Sequence, residues 1–387
     1  MTITHDVLFT GGGSLSSLGI HCEGLGVRIA ARRLKVESNV VLSGNVTLAG
    51  DEIEIGDGVM IGEGCDLRSQ SLTIGARSAI HAGVRLFVAE RCSMGHAGRI
   101  LDQVSITCRS FEAGDLLFLG DHLQVGGGGN YASTSRVRIG HRVALGSYTM
   151  LNANRLIELE DQVGSGDYLS VWTHGFHFGH SVLEGFGATY DPVHIERNVW
   201  LAHHVTVLPG VRIGENTIVA ACSVVTKSLP AGVLAAGAPA QVRKSLNPQP
   251  LDDQAAETAL SAILHKWFQE LEWKGWTVQT GPNGFTELLS GGSRVYCQLL
   301  PSGTYALDNC PGEQGILISL RANKELIESL PPGWSLLEIR PGAFHGSSFD
   351  VSEDLRDFLR RNSIPCGSEN LFQSIMPSSF QRLQSLI

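Results

Sequence analysis

The sequence predicts a mainly β protein: a coil of stacked six-residue units over about the first two thirds, then a smaller α+β domain. Three observations predict it. Branched aliphatics recur at six-residue intervals. Glycine is abundant, 46 of 387 residues, while only 17% of residues are charged. Composition then shifts beyond a polar, proline-containing stretch, Asn247-Pro-Gln-Pro-Leu-Asp-Asp253, of linker type. Four of the six tryptophans (Trp267, Trp273, Trp276, Trp334) lie past it. The expected domains are therefore 1–248 and 249–387.

The repeat is read first, because it decides the fold. Ile139, Leu145, Leu151, Ile157, Val163 and Leu169 share one six-residue register. Ile195, Leu201, Val207, Ile213, Val219 and Val225 share another, and shorter runs precede them: Val36, Leu42, Leu48; Ile55, Ile61, Leu67; Ile74, Ile80, Leu86. A period of six fits neither a helix nor the plain alternation of one strand. It suits a strand-plus-turn unit pointing one bulky aliphatic inward. Three units close a triangular coil, and stacked coils bury a continuous apolar column. Glycine after Ile55, Ile61, Ile74, Ile139, Leu145 and Ile213 lets the backbone turn each corner without a Cβ. The coil covers about 27–244, interrupted by loops at 126–138 and 170–194. Long loops leaving a regular scaffold tend to carry function.

Charge and leader signals narrow the class. A net charge of −9 argues against a nucleic-acid footprint, which needs a basic face. No apolar run approaches the roughly 18–20 residues of a membrane span. The opening Met1-Thr-Ile-Thr-His-Asp6 lacks a basic n-region, and Gly11-Gly12-Gly13 breaks any apolar core, so a cytoplasmic location is expected. The eight cysteines (Cys22, Cys65, Cys92, Cys108, Cys222, Cys297, Cys310, Cys366) form no C-x-x-C pair. They read as reduced, buried small hydrophobes.

Chemistry concentrates in the second loop, Ser170-Val-Trp-Thr-His-Gly-Phe-His-Phe-Gly-His180. Imidazole titrates near neutrality, so a loop histidine can take a proton from an attacking hydroxyl or amine. His174, His177 and His180 stand three apart, which in an extended loop sends them to opposite sides. No metal site is expected.

Two motifs carry a resemblance. Thr173-His174 opens the loop, and the coil resumes as Ile195-Glu-Arg-Asn-Val-Trp-Leu-Ala202. Further on stand Cys222-Ser-Val-Val-Thr-Lys227 and Gly237-Ala-Pro-Ala240. These resemble the hexapeptide-repeat acyltransferases, closest to the maltose and galactoside O-acetyltransferase branch. The resemblance implies a left-handed parallel β-helix of hexapeptide repeats, a homotrimer, and acetyl-CoA as co-substrate. It implies His174 as general base and coenzyme contacts at Ala202, His203, Ala221, Thr226, Lys227 and Lys244. Small residues at Ala202, Ala220, Ala221, Ala235, Ala236 and Gly237 would floor a pantetheine groove, and Lys227 would meet a phosphate as a point charge. Two positions depart from the family pattern: His203 follows Ala202 where Ala or Ser follows Gly, and Gln241 replaces a basic residue.

The acceptor expected is a sugar hydroxyl, of a surface polysaccharide or its precursor, contacted by Asn152, Trp172 and His177. Asn154 would help orient it, and Glu184 or Asp191 would orient the histidine. The alternatives are N-acetylation of a nucleotide-linked amino sugar and a non-catalytic β-helix scaffold. In the second domain, helices are expected at 254–273, 323–330 and 353–361. Strands are expected at 276–279, 285–289, 294–300, 304–307, 315–320 and 335–339, forming an antiparallel sheet. His345 and Cys310 read as structural.

Overall fold

The computed structural model describes residues 2–3, 7–10, 20–127, 129–130, 132–175, 179, 181–304, 310–364 and 375–378. The chain divides into two compact units, Met1–Asn247 and Pro248–Ile387.

The first unit is a parallel β-helix with three faces. On the first face, residues 28–31, 47–50, 66–69, 85–88 and 105–108 stack in parallel register, followed by 124–125, 150–152, 170–172, 206–207 and 224–225. The second face ends in 136–139, 157–159, 193–195 and 212–213. The third runs from Ile20–Glu23 to Val233–Ala236 and is closed by the antiparallel strand Gln241–Ser245. The aliphatics named from the sequence line the interior: Ile157, Val163, Leu169, Ile195, Leu201 and Val207 are all fully buried. Inside a prism whose side chains stack coil on coil, apolar surface leaves water along the whole length, which is the main favourable term of this fold.

The register refines the period. Ile195 pairs with Ile213, Leu201 with Val219 and Val207 with Val225, so the last coils are three strict hexapeptides. Among the early coils Leu48 pairs with Leu67, one residue beyond three hexapeptides. There the first and second faces are joined in one bent strand, such as Thr47–Ile55 and Asp66–Ile74, and the extra residue sits at the bend. That additional residue resets the sequence register after every three aliphatics. In the middle coils Ile139 pairs with Leu159 and Leu151 with Val171. Ile157, Val163 and Leu169 therefore do not repeat the places of Ile139, Leu145 and Leu151. They occupy the neighbouring inward place, because the corner at 152–155 holds two additional residues. One apparent run of six is two runs of three.

Corners are fastened between coils. Asp115, Asp161 and Asp167 accept from the backbone amides of His96, His141 and Ser147 in the preceding coil, at 2.8, 2.7 and 2.8 Å. The corner between third and first faces stacks His122, Tyr148, Tyr168 and His204, with ring centroids 5.1, 5.0 and 4.6 Å apart.

The second unit is α+β. Helix α1, Asp253–Trp273, starts at the Asp252 cap, whose carboxylate accepts from Ala255 N at 2.8 Å. Six strands follow in sequence order, 277–280, 286–290, 293–299, 315–319, 334–338 and 343–346. The sheet is mixed, not antiparallel as expected: Ser293–Leu299, Gly315–Ser319 and Trp334–Glu338 run parallel. The connection from Ser319 to Trp334 carries a short helix, Lys324–Glu328, and such crossovers return the chain to the same end of the sheet. The third helix begins at Asp350, earlier than expected, and runs to Arg361. The expected strand at 304–307 falls mostly outside the described residues. His345 lies 3.4 Å from Glu338 in the edge strand, and Cys310 is half-buried.

Cysteine burial is only partly as expected. Cys65, Cys92, Cys108 and Cys297 are buried, and burial pushes Cys65 up to about 11 and Cys92 and Cys108 up to about 12. Cys222 is exposed because it sits at the turn of the same corner as His204. Cys366 lies outside the described residues. Among the described residues no helix is long and apolar enough to cross a membrane.

Candidate active site

The loop bearing His174 leaves the corner between first and second faces. Strand Ser170–Trp172 ends there, and Thr173 turns inward to become fully buried. Its Oγ1 donates to the Asn152 carbonyl at 2.8 Å and accepts from the amides of Asn154 and Arg155 at 2.8 and 3.0 Å. Its own carbonyl accepts from Asp191 N at 3.0 Å. One hydroxyl and one carbonyl thus tie both legs of the loop to the coil beneath. Beyond this anchor, His174–Gly175 pairs antiparallel with Thr189–Tyr190.

His174 is held by aromatic neighbours. Its ring lies 6.1 Å from Tyr190, nearly parallel, and 6.2 Å from Trp172, edge-on. Partial burial holds its pKa below the usual histidine value, so the imidazole is neutral near pH 7. Arg155 completes the support. Its guanidinium lies 5.1 Å over the Tyr190 ring and donates to Thr134 Oγ1 at 2.9 Å and Asn154 Oδ1 at 2.6 Å. The two loops, 126–138 and 170–194, are therefore braced against each other through Arg155. Sequence reasoning missed this arginine, since a lone basic residue at a coil corner carries no motif.

The other expected acceptor contacts are less open. Asn152, beside Trp172 in register, is 3% exposed, and a Cβ at Gly127 would stand 3.3 Å from its Nδ2. It lies under the first loop and presents no surface to an acceptor. Trp172 is half-buried, and His177, like His180, lies outside the described residues. Glu184 is exposed in a short 3-10 turn, and the Asp191 side chain packs beside Gly210.

The coenzyme candidates spread over the end coils. Leu208 and Thr226 follow Trp172 in the same outward place of successive coils, because Val171, Val207 and Val225 stack in register. Thr226 and Lys227 are exposed at the corner that carries the His174 loop, two coils away. Among the described residues Lys227 makes no ion pair, which leaves its ammonium available to a phosphate. Ala202 and His203 sit at the opposite corner of the first face, and Ala220 and Ala221 lie directly over them. Gly166 lies beneath, where a Cβ would come 2.8 Å from His203 N. The His203 ring packs against Tyr168 at 5.6 Å. Lys244 is on the third face, opposite Leu234. One chain therefore offers a small-residue corner, a free cation and a neutral base, on two edges of one face.

Residues 192–227 match the family model described as bacterial transferase hexapeptide (six repeats). The chain is 52% identical over 62 residues to the galactoside O-acetyltransferase of Lactococcus lactis, covering 16% of this chain and 30% of that protein. It is 43% identical over 72 residues to the galactoside O-acetyltransferase of Escherichia coli, 18% of this chain and 36% of the relative. The matches thus span about a third of the length of these curated relatives. Among solved structures, a galactoside acetyltransferase in complex with coenzyme A is similar with 26% identity and a TM-score of 0.31, over 35% of this chain and 70% of that one. A hexapeptide-repeat acetyltransferase of Vibrio cholerae complexed with acetyl coenzyme A has 24% identity and a TM-score of 0.31, over 35% and 70%. With one aliphatic turned inward every six residues, and the match falling on the coils where that period is strictest, residues 192–227 carry the hexapeptide repeat of bacterial transferases.

Proposed function

We propose that the protein transfers an acetyl group from acetyl-CoA to a sugar hydroxyl, with His174 as general base. The observation that carries this is the placement of His174. A neutral imidazole stands on a doubly anchored hairpin at the same corner as the exposed Lys227, two coils away. The similarity to galactoside O-acetyltransferases supports the sugar acceptor.

In this reading Lys227 and Thr226 hold the phosphate end of the donor, and the small corner at Ala202 and Ala221 lets its arm lie close to backbone. His174 accepts the hydroxyl proton as the acceptor oxygen bonds to the thioester carbonyl carbon. A backbone amide beside the loop steadies the oxyanion, worth about 3 kcal/mol for one donor. Collapse breaks the carbon–sulfur bond, and the imidazolium returns its proton to the departing thiolate. No covalent enzyme intermediate is needed. Because the candidate contacts occupy two edges of one face and part of another, they fit a cleft between copies, and a homotrimer is the assembly proposed.

The test is thiol release from acetyl-CoA against single sugars, polysaccharides and nucleotide-linked amino sugars. Sugar-dependent release is expected. Release only with amino sugars would replace O-transfer by N-transfer, and stoichiometric acetyl-CoA binding without turnover on any acceptor would make the protein a scaffold.

A further inference from the structure

Two residues flank His174: Thr173 precedes it in the chain, and Tyr190 lies directly across the hairpin from it. Side chains of directly opposed residues in an antiparallel pair stand on the same side. The Tyr190 ring therefore bounds the imidazole, 14° from parallel to it at 6.1 Å. Tyr190 is itself 39% exposed, and the hairpin around it is open: a Cβ at Gly175, Gly185 or Gly187 would meet nothing within 4 Å. An exposed tyrosine on so short a strand pair needs a partner from elsewhere to hold its rotamer.

Arg155 reaches both flanking residues. Its backbone N–H donates to Thr173 Oγ1 at 3.0 Å, and its guanidinium lies 5.1 Å over the Tyr190 ring, close enough for the cation to be drawn to the ring face. The guanidinium is fixed in turn. Its Nη1 donates to Thr134 Oγ1 at 2.9 Å, to the Asn154 carbonyl at 3.2 Å and to Asn154 Oδ1 at 2.6 Å. The Thr134 hydroxyl donates to that same carbonyl at 2.8 Å. A rigid corner of the β-helix thus extends, through one planar cation, to the ring beside the candidate base.

We infer that Arg155 is a positioning residue: by clamping the Tyr190 ring it fixes the plane in which His174 presents its imidazole to the acceptor. The inference rests on the reading of His174 as the base. A base works only within hydrogen-bond reach of the proton it takes, and a misplacement of about 1 Å costs on the order of a hundredfold in rate. The guanidinium suits the task because it is flat. It covers the ring with its face while its edge donates to Thr134 and Asn154, which a lysine ammonium, a point charge without a plane, cannot do at once. An arginine that merely tied the loops together would act on stability and not through the imidazole, and that difference can be measured.

The full chain is compared as wild type, Arg155→Ala, Arg155→Lys, Tyr190→Leu and Tyr190→Phe, by acetyl transfer from acetyl-CoA to sugars and by NMR of protein carrying 13Cε1-labelled histidine. The His174 resonance is identified by its loss in His174→Gln. In Arg155→Ala, kcat should fall about tenfold or more while KM for acetyl-CoA stays within about twofold. Arg155→Lys should not restore the rate. Tyr190→Leu should fall alike, and Tyr190→Phe, which keeps the ring, should recover most of kcat. In a His174→Ala background, Arg155→Ala should change the residual rate by no more than about twofold, because its effect runs through the imidazole. The His174 resonance should move in Arg155→Ala toward its position in Tyr190→Leu, where the ring current is gone. Should Arg155→Ala not fold, Arg155→Lys, which keeps the charge and the stem, carries the same two readouts. An equal loss of rate in the His174→Ala background, full recovery by Arg155→Lys, or an unmoved His174 resonance overturns the inference. If wild type acetylates no acceptor, the transfer reading fails by itself, and the resonance alone upholds or overturns the clamp.

Discussion

At the scale of single residues, two side chains carry the account. In the proposed reaction His174 is the base. Its removal in His174→Ala should lower kcat by about 10²–10⁴, the usual contribution of a positioned base. The pH profile checks its state. A histidine whose pKa is held below the ordinary value keeps its lone pair as pH falls, so the acid limb of kcat/KM should lie below about 6.5. An acid limb above that value would mean the rate follows another group. Thr173 is the positioning residue. Thr173→Val leaves a buried carbonyl and two buried amides without their partner, at a cost of about 1–3 kcal/mol for each unsatisfied group. A fall in Tm together with a drop in kcat larger than the rise in KM is expected, and Thr173→Ser should recover most of both, since the hydroxyl is what the loop uses.

Among the elements, the coils themselves were legible and their corners were not. One inward aliphatic per six residues is a packing requirement, and it names Leu201, Val207 and Ile213 directly from the sequence. The bends of the early coils and the turn at 152–155 leave no such trace, because an additional residue at a corner needs no particular side chain. That is why Ile157, Val163 and Leu169 looked like a continuation of Ile139, Leu145 and Leu151. The site divides the same way. His174 and Lys227 were singled out through motifs, whereas Arg155 braces two loops, a relation that exists only after folding. Asn152 was expected to contact the acceptor, yet Gly127 of the first loop lies close over its side chain. In the second unit the parallel strand pairs were missed, since strand direction depends on crossovers and not on strand composition. A consequence of tight stacking can be measured. A Cβ at Gly146 would stand 2.5 Å from the carbonyl carbon of Gly166 in the next coil, so Gly146→Val should destabilise the β-helix by about 1–3 kcal/mol. Chemical denaturation should show a lower midpoint; an unchanged midpoint would mean the coils are looser than described.

On the scale of the whole molecule, the chain has separate cores. Ile20 to Ala235 build one, while Leu264, Trp267, Ile316, Leu355 and their neighbours build another. Calorimetry of the full chain should resolve two unfolding transitions, with Gly146→Val shifting one of them and leaving the other in place. In the proposed reaction the first face carries the donor contacts Thr226 and Lys227 in its last coil and His174 two coils below. The central claim is that this face brings donor and acceptor together at His174. Acceptor-dependent thiol release from acetyl-CoA, compared between wild type and His174→Gln, tests it most directly. The account predicts release that requires a sugar acceptor and falls by about a hundredfold or more in the variant. Release by His174→Gln at the wild-type rate would contradict it.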